Sequence, residues 1–101
     1  MAKVIWSEPA ATDFDGVIEY IALDNPDAAE KLAKRIIKHT RQLALYPLSG
    51  PIIPELLGSQ YRQISEPPCR IIYVFDEYDV RIMHVMRAER TLRIKLLQER
   101  Q

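Results

Sequence analysis

Cysteine occurs once in this chain, at Cys69, which excludes an internal disulfide and any multi-cysteine metal site. A lone thiol in an apolar strand is expected to be buried and inert. Glycine occurs three times, with no glycine-rich loop of the kind that cradles phosphate. The longest stretch without a charge, residues 42–54, is 13 residues long and holds three prolines, so no membrane-spanning helix is expected. MAKVIW runs directly into Ser-Glu-Pro without the apolar centre of a signal peptide, and a cytoplasmic location is expected. The two histidines, His39 and His84, fall on separate predicted elements, and no serine or cysteine triad is spelled out. Neither a metal nor a cofactor is expected.

Charge is balanced overall but not along the chain. Net charge is zero, which argues against binding nucleic acid through bulk phosphate neutralisation. Residues 1–30 carry one lysine and seven acids, whereas residues 31–50 carry five bases and no acid. Residues 51–79 return to acid, and residues 80–101 hold six bases against two acids. Local basic surfaces are therefore expected on a neutral molecule.

The length of 101 residues suits one compact domain spanning residues 1–101, and the apolar fraction of 48% suits a folded core. Residues 2–6 are β-prone and predict an opening strand. Ser7 reads as an N-cap with Pro9 in the first turn, and Ala10, Phe14, Val17, Ile18 and Ile21 recur at helical spacing, predicting a helix over 8–23. Asp13, Asp15 and Glu19 are expected on its solvated outer face. Asn25-Pro26 restarts the helix, and the stripe from Ala29 to Ala44 carries it to about residue 46, where Pro47 stops it. So short a connection predicts an antiparallel helix hairpin.

Opposite that stripe lie Lys31, Lys34, Arg35, Lys38 and Arg41, about one per turn, either a solvated face or a surface for an acidic partner or DNA. A loop with Pro51 and Pro54 follows, then strands over 61–66, 69–76 and 80–86 separated by Pro67-Pro68 and Asp76-Glu77-Tyr78-Asp79. The second of these strands is apolar on both faces, which marks it as central. Residues 89–101 alternate charge with leucine and isoleucine, fitting a terminal helix or an extended tail better than a core element. The predicted fold class is α+β in the order β-α-α-β-β-β, with a helix hairpin on one face of a small antiparallel sheet, its other face partly open.

The chemistry-bearing residues after the hairpin are Glu55, Arg62, Arg70, Arg81, His84, Arg87 and Arg90. Arginine forks suit phosphate or carboxylate. Each arginine taken alone has an equally good structural reading, as an ion pair with Glu66, Asp76, Asp79 or Glu89.

Several features recur in one order: an A-x-x-D-x-x-x-I-x-x-Y-I helix from Ala10 to Ile21, Asn25-Pro26, and Leu45-Tyr46-Pro47 with Gly50. They continue through Glu55-Leu56, Tyr61-Arg62, Pro68-Cys69-Arg70-Ile71-Ile72-Tyr73 and the closing run Ile82 to Arg90. In this order and spacing the chain resembles the RelE/ParE superfamily of bacterial type II toxin–antitoxin systems, and in particular the ParE-like plasmid stabilisation proteins. The resemblance implies a toxin neutralised by a cognate antitoxin, whose flexible tail wraps the hairpin and sheet. The basic row Lys31 to Arg41 or the open sheet face, with Arg70, Arg81 and Arg90, is expected to contribute to binding.

Two targets are implied by the superfamily. ParE-like members inhibit DNA gyrase by binding it; RelE-like members cleave mRNA on the ribosome, with a base for the 2′-hydroxyl, an acid for the 5′-oxygen and cations on the phosphorane. In the RelE-like alternative Glu55 is the base, His84 the acid, and Arg62 with Arg87 the phosphate clamp. RelE-like members carry a lysine-rich segment that this chain lacks, having no lysine between Lys38 and Lys95. Gyrase is therefore the expected target, with ribosome and mRNA as the alternative; a member that keeps antitoxin binding alone is a third reading.

Overall fold

The computed structural model describes residues 1–100. Its elements are β1 (Lys3–Trp6), α1 (Glu8–Asp24), α2 (Pro26–Gln42), β2 (Arg62–Glu66), β3 (Cys69–Phe75), β4 (Asp79–Arg87) and α3 (Ile94–Glu99), with one 3-10 turn at Pro54–Leu56. This is the α+β order that the periodicity predicts. The expected terminal element ran to Gln101, which lies outside the described residues.

Caps set the hairpin. The Ser7 hydroxyl accepts the Ala10 amide at 3.1 Å and starts α1, with proline in the first turn. Asn25 serves both helices: its amide donates to the Ile21 carbonyl at 2.9 Å, and its side chain accepts the Ala28 amide at 3.0 Å. One residue therefore joins two helices, and they fold back on each other. Helix α2 closes at Gln42, earlier than expected, because the amides of Leu43, Ala44 and Leu45 bond three residues back at 3.1 Å and tighten the last turn.

The sheet runs β1-β4-β3-β2, so β3 and β4 are central. Strands β2, β3 and β4 pair antiparallel as expected, but β1 joins β4 in parallel, Lys3 opposite Asp79 and Trp6 opposite Ile82. The sheet is therefore mixed. The hairpin between β1 and β2 acts as a crossover that returns the chain with β1 and β4 running the same way. Strand β1 stops at Trp6 while β4 continues to Arg87, leaving the outer edge of β4 without a strand beyond Ile82.

Alternation on β3 divides the core. Ile71 and Tyr73 join Leu32, Ile36, Leu43, Val80, Ile82 and Val85 under the hairpin. Ile72 and Val74 face the other way and meet Ile53, Tyr61, Met83, Met86, Leu92 and Leu97. The second face is thus less open than expected, and residues 89–100 contribute to the core: Leu92 is buried and Leu97 has no exposed surface. The alternating charges Arg93, Lys95, Glu99 and Arg100 hid this short, half-buried helix from the periodicity.

Candidate functional site

Among the described residues no hydrogen bond or ion pair links any two of Glu55, Arg62, His84 and Arg87. Arg62 lies on β2 and reaches back to the preceding loop, where Nη1 donates to the Gly50 carbonyl at 2.8 Å and to the Leu48 carbonyl at 3.4 Å. The buried Tyr73 hydroxyl works on the same loop, donating to the Pro47 carbonyl at 2.9 Å and accepting the Gly50 amide at 2.9 Å. Burial pushes the Tyr73 phenol pKa up, so it stays protonated for this double role. The Leu45-Tyr46-Pro47 and Gly50 pattern is therefore a clamp that fastens the loop to the sheet.

Glu55, on the 3-10 turn, takes a bidentate ion pair from Arg70 of β3 at 2.7 and 2.9 Å. Gln63 accepts from Arg70 Nε at 2.8 Å and completes the fork, whose side chain is only 11% exposed. The Arg70 bonds hold the Glu55 carboxyl below its ordinary pKa, against the smaller opposing effect of burial. A carboxylate so stabilised is a weaker base than a free one. Arg81 pairs with Asp76 at 3.0 Å and Asp79 at 3.8 Å, fixing the turn between β3 and β4. Arg87 lies 2.7 Å from Glu89 and stacks its guanidinium 5.2 Å from the Tyr20 ring centre.

His84 lies where the β3–β4 register shifts beside Ile72 and Tyr73. Its Nδ1 is 2.6 Å from Asp13 Oδ2, so that nitrogen carries the proton and donates it to the carboxylate. Arg100, from beyond α3, donates Nη1 to the same Oδ2 at 2.6 Å and to the Met83 carbonyl at 3.1 Å, and Nη2 to Oδ1 at 3.3 Å. Arg100 Nη1 also sits 3.0 Å from His84 Nδ1; with the proton already on that nitrogen, this is proximity and not a bond. Asp13 further accepts the Val85 amide at 3.3 Å, taking the place of a strand on the uncovered edge of β4.

Asp13 was expected on the solvated face of α1. It follows Ala10 by three residues and precedes Val17 by four, which places it on the inward stripe; its neighbours Asp15 and Glu19 obscured this. Half-burial raises its pKa, but the bonds and charges of His84 and Arg100 outweigh that and hold it below the ordinary value. Among the described residues no three His, Cys, Asp or Glu side chains converge as metal ligands would.

The surface residues divide differently. Arg35 Nε pairs with Glu66 at 3.3 Å beside His39, whose Nδ1 is 2.7 Å from the same carboxylate, tying α2 to β2. Lys34 pairs with Glu30 in the open. Lys31, Lys38, Arg41 and Arg90 make no ion pair among the described residues. The basic row of α2 runs between two grooves. One, of about 670 Å³, is lined by Tyr20, Leu23, Lys31, Arg35 and Arg87. The other, of about 580 Å³, has Phe14, Ala33, Ile37 and Leu45 as its apolar lining and Lys38 and Arg41 beside them.

A mixed four-stranded sheet under a helix hairpin defines a small α+β domain. The fold is shared with a chain of the chromosomal ParDE TA system from P. aeruginosa, at a TM-score of 0.74 and 20% identity over 88% of this chain and 98% of that one. Toxin RelE2 of Caulobacter vibrioides is 30% identical over 90 residues, covering 89% of this chain and 99% of that protein. Residues 4–92 match the family described as ParE toxin of type II toxin–antitoxin system, parDE. This chain belongs to that ParE toxin family.

Proposed function

We propose that this toxin arrests growth by binding DNA gyrase, without chemistry of its own, and is neutralised by an antitoxin that docks along α2. The family carries the partner, since a ParE toxin of a parDE system implies a cognate antitoxin. The observation that favours binding over catalysis is the fate of the four nuclease candidates. Glu55 is held by Arg70, Arg62 by loop carbonyls, His84 by Asp13, and Arg87 by Glu89 and Tyr20, in four separate sets of contacts. A phosphoryl centre needs such groups to converge on one reacting atom. The missing lysines between Lys38 and Lys95 point the same way.

For the antitoxin, the free cations Lys31, Lys38 and Arg41 beside apolar grooves favour a segment that is acidic on one side and apolar on the other. Purified toxin in excess, without antitoxin, is expected to inhibit supercoiling by gyrase. Unchanged supercoiling, together with toxin-dependent cleavage in the ribosomal A site by primer extension, would replace this reading with the mRNA endonuclease.

A further inference from the structure

We infer that α3 is a detachable strap over the second face of the sheet, locked by the Arg100 fork. The two apolar clusters are covered very differently. The first lies beneath two helices of 17 residues each. The second is covered by the 50s loop and by α3, which has six residues.

Helix α3 is also poorly built for standing alone. Its N-cap is Arg93, which makes no side-chain cap bond, and Lys95 follows in the first turn. Positive charge therefore sits at the positive end of the helix dipole, and Glu99 adds negative charge at the other end. Six residues are also too few to propagate helix beyond its nucleation cost. What holds α3 down is tertiary: the fully buried Leu97 with Ile94 and Leu96 packed on the same cluster, a long bond of 3.4 Å from the Tyr61 hydroxyl to the Leu97 carbonyl, and Arg100.

Arg100 is the exceptional contact. It reaches from one end of the chain to Asp13 near the other, and its side chain is 16% exposed. Its partners, Asp13 and the Met83 carbonyl, lie on α1 and at the uncovered edge of β4, outside the strap itself. Releasing one fork thus frees the end of α3 while leaving the hairpin and the four strands paired. Opening as a unit would bare Ile72, Val74, Met83 and Met86.

Hydrogen exchange resolves this. In Arg100→Gln the amides of residues 94–100 are expected to exchange about ten- to a hundredfold faster than in the parent chain, the loss of a charged hydrogen-bonded fork, while residues 69–75 keep their protection. Arg93→Asp, which supplies an N-cap acceptor and reverses the adverse charge, is expected to slow exchange over the same residues. The strap is overturned if Arg100→Gln leaves residues 94–100 unchanged, or if it speeds them and residues 69–75 equally, since that is global unfolding. It is equally overturned if Arg93→Asp has no effect while the parent segment already exchanges as slowly as β3.

Discussion

Gly50 has no room for a side chain. A Cβ there would overlap the Gln63 carbonyl oxygen and come within 2.8 Å of the Tyr73 hydroxyl. Gly50→Ala is expected to cost about 1–3 kcal/mol by overpacking, read as a lower urea midpoint with unchanged slope. Tyr73→Phe is expected to cost about 1–3 kcal/mol by stranding the Gly50 amide and the Pro47 carbonyl. Asp13 acts through pH. Its pKa is lowered on folding, so its stabilisation is complete above the ordinary carboxylate value of 3.8 and is lost as pH falls through the lower folded value. Asp13→Asn should therefore lower stability near neutrality and flatten the acid limb of the stability curve as pH falls through and below 3.8. A parallel acid limb in the variant would exclude this role. The acids that hold Arg81 and Arg87, namely Asp76, Asp79 and Glu89, were legible as nearby partners, whereas those of Arg62, Arg70 and Glu55 were not. Arg62 and Glu55 were visible as chemistry, whereas their consumption by Gly50 and Arg70 depends on a loop path that local periodicity does not encode.

At the scale of elements, caps and stripes were the legible signals. Ser7, Pro9, Asn25 and Pro26 placed the helix hairpin to within a residue or so at its starts, because capping is local chemistry. Two features were not local. The parallel pairing of β1 with β4 depends on the crossover's direction, and α3 is too short for its buried Leu97 to show as periodicity. On helix α2, Arg35 and His39 hold β2 through Glu66, while Lys31, Lys38 and Arg41 make no ion pair within the described residues. Reversing those three to glutamate should leave thermal unfolding nearly unchanged. The same variant should weaken antitoxin binding at least about tenfold, with a shallower salt dependence. Undiminished affinity in a titration calorimeter would move the antitoxin elsewhere on the molecule.

For the whole molecule, the distribution of charge was a better guide than its total. Zero net charge concealed a basic ridge on α2 and an arginine-rich final quarter, which the fold treats in opposite ways. The ridge stays largely free, whereas Arg62, Arg70, Arg81, Arg87 and Arg100 are spent on joining strands, loops and helices. If the toxin works by binding, as proposed, its activity should survive loss of the His84 imidazole. The parent chain and His84→Gln are both expected to arrest growth on induction without antitoxin. Loss of arrest with unchanged thermal unfolding would return His84 to a catalytic role.

The pairing of β1 with β4 also sets an order of events during synthesis. Lys3–Trp6 leaves the ribosome well before the strand it lies beside, Asp79–Arg87, with the hairpin and two strands made between them. The hairpin can form early from local contacts, but the sheet waits for the final strand, and the Asp13–Arg100 contact waits for residue 100. A chain made only as far as β3 holds its first strand without a neighbour, so the sheet closes only once β4 has been made.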